Sequence, residues 1–497
     1  MEDKRIDNNR ILSELANIVG SEWVSNEPEI VYAYSRDVNM YPENLSSVLR
    51  PPHYVVLPST SEEVQKIVAV ARTHKLPIIV QTTGLNIAGV CVPSRGGILM
   101  DMKRMDKVIE IDEVNCTATI QPYVTIARLS CELQKRKMFL PVPGNPSTAS
   151  VISNILVGLG LKVTNRVGRQ EQGIVGFKMI LPDGSIFKIG SGADPFIPKD
   201  FWPHGPGPDL QLFPVHAIGT TGIVTEMTIK CWLRGEKYKE LWVSYEDIDN
   251  AAKAYAELAK MEICKGINLY GGNKYTSYAT DTREAMERMV RANPEFQLVL
   301  SMEGTKRRLE YEEKVVRRIA EKTGGIIITD KFNPYESFVE SHAGMSGSFY
   351  SDYSMKYWGS RGANWVAAGF PSPDKVAEMY KVYCQAIMDD PEYSDSDFGN
   401  GEYWRSIIAY PYEGGHYYFN EHGIDSHPGD PKWQRVVKRI GAALPRYGAQ
   451  RGLLIMGFNR APREGLPRVT GPYYDLAKKI NNKLDPEGIM QPGFVFP

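Results

Sequence analysis

Apolar and polar residues follow two different periods in the first part of the chain. Between Ser59 and Leu76 the apolar positions recur every three or four residues, which predicts an amphipathic helix capped by Ser59 or Ser61. The short apolar runs LPIIV, GGILMDM and KVIEID predict strands. TATIQPYVTIARLSCELQKRK predicts a strand, a turn and another helix. Short elements in this order predict an α+β fold.

The pattern changes near residue 235. Before this point, FKMILPDGSIFKIG predicts a β-hairpin with a turn at its Pro-Asp-Gly. After it, amphipathic helices alternate with strand-like runs such as FQLVLSMEGT and GGIIITD, which predicts a second domain with an antiparallel sheet. Aromatic residues concentrate in 331–425. Near the end of the chain, RGLLIMGF predicts a strand and YYDLAKKINNKL predicts a helix.

Composition narrows the functional classes. A chain of 497 residues predicts two or three domains, and a net charge of −1 gives no electrostatic support for nucleic-acid binding. The charged N-terminus argues against a signal peptide, and the lack of a long apolar run argues against a membrane span. The six cysteines form no CxxC pair, so we predict no metal site and no disulfide framework. We expect a cytoplasmic enzyme that forms a homodimer or larger homo-oligomer.

Three loops rich in glycine and small polar residues point to a ligand site. The first, QTTGLNIAG (81–89), has neither the GxGxxG pattern of dinucleotide-binding folds nor the GK[ST] of a P-loop. By itself, such a turn is most often structural. A second loop in PVPGNPSTAS (141–150) and a third in IGTTGIVT (218–225) favour a long ligand that lies across a cradle of main-chain N–H groups.

The ordered set of these segments, closed by KLDPEGIMQPG, resembles the family of FAD-linked oxidoreductases typified by vanillyl-alcohol oxidase and p-cresol methylhydroxylase. The resemblance implies an FAD-binding domain of two small α/β subdomains at 1–234 and a substrate (cap) domain at 235–444. It also implies a C-terminal segment, 445–497, that returns to the FAD-binding domain. The FAD contacts that it implies are Thr83, Gly84, Leu85, Asn86, Ile87, Gly89, Pro143, Gly144, Ser147, Thr148, Ser150, Asn154, Gly219, Gly222, Ile223 and Val224.

Further details resemble the branch of the family that oxidises para-substituted phenols. GGHYYF is similar to a segment whose histidine is bonded covalently to FAD, which makes His416 a candidate for attachment or for contact with the flavin. A second histidine of the family is missing near YSRDVNMYP, so non-covalent FAD stays open. FWPHGPGPDLQLF resembles the stretch before the flavin segment and makes Asp209 a candidate base, with His204 and His216 as weaker candidates.

GAQRGLLIMGF resembles a strand whose Tyr-Arg pair binds the phenolate, but Gln450 stands in the place of the tyrosine. We expect Arg451 to be an arginine of a buried strand, which needs an anionic partner. A phenol next to this cation loses its proton more easily. The phenolate then weakens the benzylic C–H bond, so that hydride passes to flavin N5 and leaves a quinone-methide-like intermediate.

The sequence therefore predicts an FAD-dependent oxidoreductase that acts on a small aromatic substrate. One alternative is a 2-hydroxy-acid dehydrogenase of the same fold, in which Arg451 binds a carboxylate. An alternative of another class is a flavin-binding electron-transfer subunit without its own substrate site. Oxygen or an electron-accepting protein is the expected oxidant.

Overall fold

The computed structural model describes residues 8–35, 51–85, 89–141, 147–158, 163–205, 207–271, 295–330, 363–392, 407–426, 431–449, 451, 454–457, 471–493 and 495. Within these residues, helices pack against sheets of four, five and eight strands. This arrangement confirms the predicted α+β class. No helix in the described ranges is both long and apolar enough to cross a membrane.

The first sheet has four strands in the order β1-β2-β4-β3. Its strands are β1 (Val24–Ser25), β2 (Tyr54–Val56), β3 (Ile78–Gln81) and β4 (Ile98–Asp101), and the helices of this region are α1 (Asn8–Val19), α2 (Pro28–Ala33) and α3 (Ser61–His74). Strands β2 and β3 both pair with β4 in parallel. The apolar stripe of α3 is buried against this sheet together with α1, as its periodicity predicts.

The predicted cap of α3 was wrong by one residue. The hydroxyl of Thr60, not that of Ser59 or Ser61, accepts the backbone N–H of Glu63 at 3.1 Å. Thr60 has extended backbone angles and Ser61 is already helical, so only Thr60 has the geometry of an N-cap. Ser59 instead donates its backbone N–H to the Glu63 carboxylate at 2.7 Å, which completes a reciprocal arrangement at the helix start.

The second sheet is antiparallel and has five strands in the order β5-β6-β10-β8-β9. The elements of this region are β5 (Val108–Asp112), β6 (Thr117–Ile120), α4 (Ile126–Gln134), β7 (Met138–Phe139), α5 (Val151–Val157), α6 (Thr164–Val167), β8 (Ile174–Ile180), β9 (Ile186–Ile189), β10 (Ile223–Lys230) and β11 (Trp232–Leu233). Helices α4 and α5 share its apolar core, and β7 pairs with β11. The predicted hairpin is β8–β9, whose turn places Gly184 at φ 85°.

The third sheet has eight strands in the order β15-β12-β14-β13-β17-β18-β16-β19, and its pairs are antiparallel. The elements are β12 (Lys237–Tyr245), α7 (Ile248–Lys260), β13 (Gly266–Gly271), β14 (Phe296–Gly304), α8 (Lys306–Thr323), β15 (Ile326–Ile327), β16 (Ala363–Phe370), α9 (Val376–Met388), β17 (Ile407–Tyr412), β18 (Tyr417–Ser426), α10 (Pro431–Ala449) and β19 (Leu454–Gly457). This is the antiparallel sheet with helices that was predicted for the second domain.

The two faces of the eight-stranded sheet differ in character. One face carries side chains such as Leu241, Leu269 and Leu300, which form an apolar core with α7, α8 and α9. Because side chains alternate along a strand, the intervening residues point to the opposite side. We call this opposite side the open face because it does not belong to the core with these helices, although most of its side chains are buried. It carries Glu240, Trp242, Asn268, Tyr270, Val299, Ser301, Glu303, Tyr410, Tyr412, Tyr417 and Phe419.

The end of the chain packs on the first sheet. After α11 (Pro472–Leu484), the backbone of Ile489 accepts the N–H of Ile78 at 2.7 Å, and Gln491 donates its N–H to Ile78 at 2.9 Å. Among the described residues of the predicted segment 445–497, this part contacts the first sheet, while β19 pairs with β16 in the eight-stranded sheet. The division into domains otherwise stays a prediction.

Candidate active site

Two chain segments, 82–83 and 150–154, meet beside the end of β3. Thr82 and Ser153 share a hydrogen bond between their hydroxyls at 2.7 Å, and the backbone N–H of Ser150 donates to the Thr83 hydroxyl at 3.2 Å. Ser150 also caps α5, because its hydroxyl accepts the N–H of Ser153 at 3.1 Å. The amide of Asn154 donates to the Ser150 carbonyl at 2.7 Å. The predicted residues Thr83, Ser150 and Asn154 are thus brought together.

Gln491 ties this assembly to the C-terminal segment. Its side-chain oxygen accepts the Val80 N–H at 3.4 Å, and its side-chain nitrogen donates to the carbonyl of Val90. The nearest atoms to a Cβ placed at Gly219 also belong to Gln491, with the closest at 3.7 Å. We call residues 82–85, 147–154, 217–222 and 491 the cradle. Gln491 was not among the predicted residues. The sequence pointed to it only through its place in the C-terminal segment KLDPEGIMQPG.

Two predicted glycines in the cradle have different reasons to be glycine. Gly222 has φ 142°, and a Cβ there would lie 2.5 Å from the carbonyl oxygen of Ile180. Its role is therefore close packing against β8. Gly219 has φ 81°, and a Cβ there would meet only Gln491, at an ordinary contact distance of 3.7 Å. Close to it, the hydroxyl of Thr221 is buried and has no hydrogen-bond partner among the described residues. A left-handed glycine without a steric reason and a hydroxyl without a partner fit a polar ligand along this edge.

The other predicted cofactor contacts are in varied positions. Gly84 and Gly89 have φ 70° and 72°, as expected for a glycine turn. The side chains of Ile223 and Val224 pack in the two cores on either side of β10, so only their backbone could face a ligand. Leu85 and Thr148 are exposed and Ser147 is buried. Asn86, Ile87, Pro143, Gly144 and Gln450 lie outside the described residues.

Arg169 connects the cradle with the open face. Its guanidinium forms an ion pair with the buried carboxylate of Glu171 and donates to Nε2 of His216 at 2.8 Å. The guanidinium carbon also lies 5.9 Å from the ring centre of Phe370, at the edge of the eight-stranded sheet. His216 precedes the third loop and has a positive φ of 59°. Because the guanidinium can only donate, Nε2 of His216 is the acceptor of this hydrogen bond.

An aromatic row crosses the open face next to this arginine. The row consists of Trp242, Val299, Asn268, Tyr410, Phe419 and Phe370. Register pairs Trp242 and Asn268 with Val299, and Tyr410 with Phe419. The rings of Tyr410 and Phe419 stack at 5.9 Å, and those of Phe370 and Phe419 meet edge to face at 5.7 Å.

Two further contacts join the open face to the cradle side of the molecule. The hydroxyl of Thr164 in α6 donates to the carbonyl of Pro411 at 2.5 Å. The ammonium of Lys265 forms a buried ion pair with Glu303 and lies 4.0 Å from the ring centre of Phe139. At these two points the eight-stranded sheet therefore contacts α6 and β7.

The structure corrects the expected environment of Arg451. It lies at the end of α10, is exposed, and its guanidinium contacts the Tyr447 carbonyl at 3.4 Å. It was predicted in a buried strand, but α10 continues to residue 449 and the strand begins only at Leu454. The apolar run after Arg451 therefore does not predict the burial or the secondary structure of the arginine itself. Its role at the substrate stays a prediction.

His416 and Asp209 are both exposed. His416 follows the tight turn between β17 and β18, and its backbone N–H donates to the Tyr412 carbonyl at 3.1 Å. Asp209 accepts from the backbone N–H of Gln211 at 2.9 Å and from Nδ1 of His204 at 2.7 Å. The bond from Gln211, followed by that from His204, lowers the pKa of the Asp209 carboxyl. The predicted catalytic roles of both residues are untested by this geometry.

Residues 52–190 match the family model of the FAD binding domain. The chain therefore contains an FAD-binding domain. Its cradle, with the buried Thr221 hydroxyl that lacks a hydrogen-bond partner among the described residues, fits such a cofactor. The chain has the fold of p-cresol methylhydroxylase with substrate bound, at a TM-score of 0.80 and 17% identity over 98% of this chain and 96% of the other. It is also similar to the 4-ethylphenol oxidase from Gulosibacter chungangensis, in an isoeugenol complex, at 0.83 and 17% over 100% and 98%.

By sequence, the chain is similar to an oxidase subunit and to a dehydrogenase. The glycolate oxidase subunit GlcD of Bacillus subtilis is 29% identical over 48% of this chain and 48% of its own length. A probable mitochondrial D-lactate dehydrogenase of Danio rerio is 23% identical over 64% of this chain and 60% of its own length. The chain thus spans about half the length of the first of these curated relatives. These matches and the fold confirm the predicted cofactor class and the predicted fold.

Proposed function

We propose that this oxidoreductase oxidises a para-substituted phenol or a related aromatic alcohol, with FAD as the hydride acceptor. The observation that carries the proposal is the aromatic row, which ends beside Arg169. Flat apolar rings with one adjacent cation suit an aromatic ring that carries a negative oxygen. Thr83, Ser150 and the backbone near Gly219 are the groups that would hold FAD in the cradle.

Arg169, rather than Arg451, has the environment for the substrate cation. Its side chain is three-quarters buried, with 25% exposed, and it contacts an aromatic ring of the open face. Burial raises the pKa of Tyr412 and of Tyr417, so both phenols stay protonated at neutral pH. Protonated tyrosines can donate hydrogen bonds to a substrate oxygen. They could thus replace the tyrosine that the related strand has at the position of Gln450.

The reaction has a simple electron balance. The phenol loses its proton and becomes a phenolate, which Arg169 stabilises electrostatically. The phenolate donates electrons toward the para position, so the benzylic carbon gives up a hydride and the ring becomes a quinone methide. FAD, held by Thr83, Ser150 and the backbone near Gly219, would supply the two-electron acceptor for this hydride. Water then adds to the quinone methide to form the alcohol, and a second oxidation gives the aldehyde.

A 2-hydroxy-acid substrate is the second candidate. It is favoured by sequence similarity to a glycolate oxidase subunit and a D-lactate dehydrogenase. In this alternative, Arg169 would hold the substrate carboxylate in a bidentate ion pair. A hydroxy acid is too small to contact most of the aromatic row. For this reason we rank the hydroxy-acid substrate second.

Anaerobic reduction of the bound flavin tests the proposal. The protein is mixed without oxygen with 4-ethylphenol, with 4-hydroxybenzyl alcohol and with D-lactate, and the absorbance near 450 nm is followed. We expect both phenols to bleach the flavin. Bleaching by D-lactate alone would move the assignment to the second candidate. No bleaching by any of the three would favour an electron-transfer subunit without a substrate site.

Two arginine variants make the test specific. We expect Arg169→Met to slow reduction by 4-ethylphenol by about 100-fold or more, because a buried cation would be lost from the substrate oxygen. Arg451→Met, at an exposed helix end, should change the rate less than about threefold. Normal reduction in Arg169→Met together with loss in Arg451→Met would return the substrate role to Arg451.

A further inference from the structure

Two cysteines lie opposite each other at one end of the five-stranded sheet. Cys116 is the last residue of the turn between β5 and β6, and Cys231 follows directly after β10. The last pair in the register of β6 with β10 is Thr117 with Lys230. The next position along both strands therefore brings Cys116 and Cys231 together. The backbone N–H of Cys231 donates to the Cys116 carbonyl at 2.7 Å, as this pairing requires.

Both side chains pack on the same apolar core. Cys231 belongs to the core of the five-stranded sheet together with Met227 and Ile229, the alternate residues of β10. Cys116 is partly buried against this core, which also contains Ala118 of β6. Because alternate residues of a strand share a face, the two cysteines carry their thiols on the same side of the sheet.

Opposite positions in an antiparallel pair have the spacing that a disulfide needs. Their Cα atoms lie about 4.5–5.5 Å apart. A disulfide joins residues whose Cα atoms are about 4.4–6.8 Å apart. Both thiols are free in the structure. The pair can therefore be joined without a change in strand order or register.

We propose that Cys116 and Cys231 form a redox-sensitive pair that closes reversibly into a disulfide, with a peroxide as the oxidant. The Cys116 sulfur attacks one peroxide oxygen, the O–O bond breaks, and a sulfenic acid forms with release of water. The Cys231 sulfur then attacks the sulfenic sulfur and an S–S bond forms. A second water leaves with the sulfenic hydroxyl and the Cys231 proton. Two thiols lose two electrons, and one hydrogen peroxide is reduced to two waters.

The two thiols differ in their access to the oxidant. Cys116 is partly exposed, and its thiol donates to the Glu113 carbonyl at 3.7 Å. Cys231 is only 4% exposed, and burial, followed by the adjacent Cys116 thiol, raises its pKa to about 12. A buried thiol with a raised pKa reacts poorly with an oxidant from solvent. Cys116 therefore reacts first, and Cys231 reacts with the sulfenic acid beside it.

The disulfide closes a loop that contains much of the cradle. Cradle residues 147–154 and 217–222 lie between the two cysteines in the chain. A cross-link restricts the unfolded chain, and the stabilisation increases with the size of the closed loop. Oxidation therefore stabilises the folded FAD-binding domain and leaves the cradle as it is.

Peptide mapping of the full-length protein with its flavin tests the pairing. The protein is reduced with dithiothreitol, freed from the reductant and treated with about two equivalents of hydrogen peroxide. It is then alkylated with N-ethylmaleimide in denaturant and digested with trypsin. Cys116, Cys231 and Cys131 fall in separate tryptic peptides, 108–128, 231–234 and 129–135. We expect mass spectrometry to find 108–128 linked to 231–234, and dithiothreitol added before alkylation to remove this link.

Three variants make the mapping specific. Cys131 in α4 is the most exposed class of cysteine in this region and serves as the control. We expect Cys131→Ser to keep the linked peptide and both Cys116→Ser and Cys231→Ala to lose it. If Cys231→Ala does not fold, Cys116→Ser at the partly exposed position is sufficient.

Urea unfolding gives an independent measurement. We expect peroxide to raise the midpoint of the wild type by about 0.5–1 M, and dithiothreitol to reverse the rise. In Cys116→Ser, peroxide should leave the midpoint unchanged.

The outcomes decide the proposal directly. The linked peptide together with a reversible rise in midpoint supports it. Sulfinic or sulfonic acid at Cys116 without the link, a link from Cys116 to another cysteine, or two unmodified thiols would each overturn it. None of these results depends on which substrate reduces the flavin, so the proposed function is tested separately.

Discussion

Gly219 and Gly184 provide a matched pair that tests whether the cradle holds a cofactor. Both have nearly the same left-handed backbone, with φ 81° and 85°. A Cβ at Gly184 meets no atom within 4 Å, and one at Gly219 meets Gln491 at 3.7 Å. Alanine at either position therefore costs the strain of a left-handed residue, about 1–2 kcal/mol, with no steric clash.

The two variants should differ only in their effect on FAD. In Gly184→Ala, the hairpin turn is strained but the cradle is intact, so FAD affinity should be unchanged. In Gly219→Ala, the methyl group occupies the space in which we place the cofactor. We expect FAD to bind at least about 10-fold more weakly, which corresponds to about 1.4 kcal/mol.

The assay has two parts. Urea unfolding of the apoprotein should show similar decreases in midpoint for the two variants. Titration of the apoprotein with FAD, followed by flavin fluorescence, should then show weaker binding only for Gly219→Ala. If both variants bind FAD as the wild type does, then Gly219 does not approach the cofactor, and the third loop is not part of the cofactor site.

Three further predictions concern other parts of the structure. Gln491→Ala removes the side-chain hydrogen bonds to Val80 in β3 and to Val90 in the loop after it and should weaken FAD binding about 10-fold. Glu487→Ala, at a partly exposed ion pair, should leave FAD binding unchanged in the same titration. Lys265→Met removes the ammonium that neutralises the buried Glu303 carboxylate and should destabilise the protein by about 3–5 kcal/mol in urea; adding Glu303→Leu should recover most of this loss, and no recovery would contradict the ion-pair argument. Acid precipitation should leave yellow colour in the pellet only if His416 is bonded to FAD, and His416→Ala should then release the colour.

Local patterns predicted most of the elements correctly because they depend on residues close in sequence. The stripe of Val64, Ile67 and Val68 is enough to indicate the buried face of α3, whatever it packs against. The Pro-Asp-Gly turn likewise specifies the β8–β9 hairpin. Errors occurred where two local choices were nearly equal, as in the cap at Thr60.

Strand faces could not be predicted for the eight-stranded sheet. In β14, FQLVLSMEG, residues on both sides of the strand are buried. Burial on both faces removes the alternation of apolar and polar residues from which a face is normally inferred. The position of Asn268 on the open face therefore emerges only from its neighbours across β14 and β17.

The sequence by itself determined the α+β class and the glycine loops, and the resemblance of their ordered set to a known family predicted the flavin cofactor. Only the tertiary structure decided which side chains meet. Gln491 contacts Val80 across 411 positions of sequence, and Arg169 reaches the ring of Phe370 from another part of the chain. Such contacts depend on the strand order and on the packing of separate sheets. A local period of hydrophobic residues is the same whichever partner it buries, so it carries no information about these pairings.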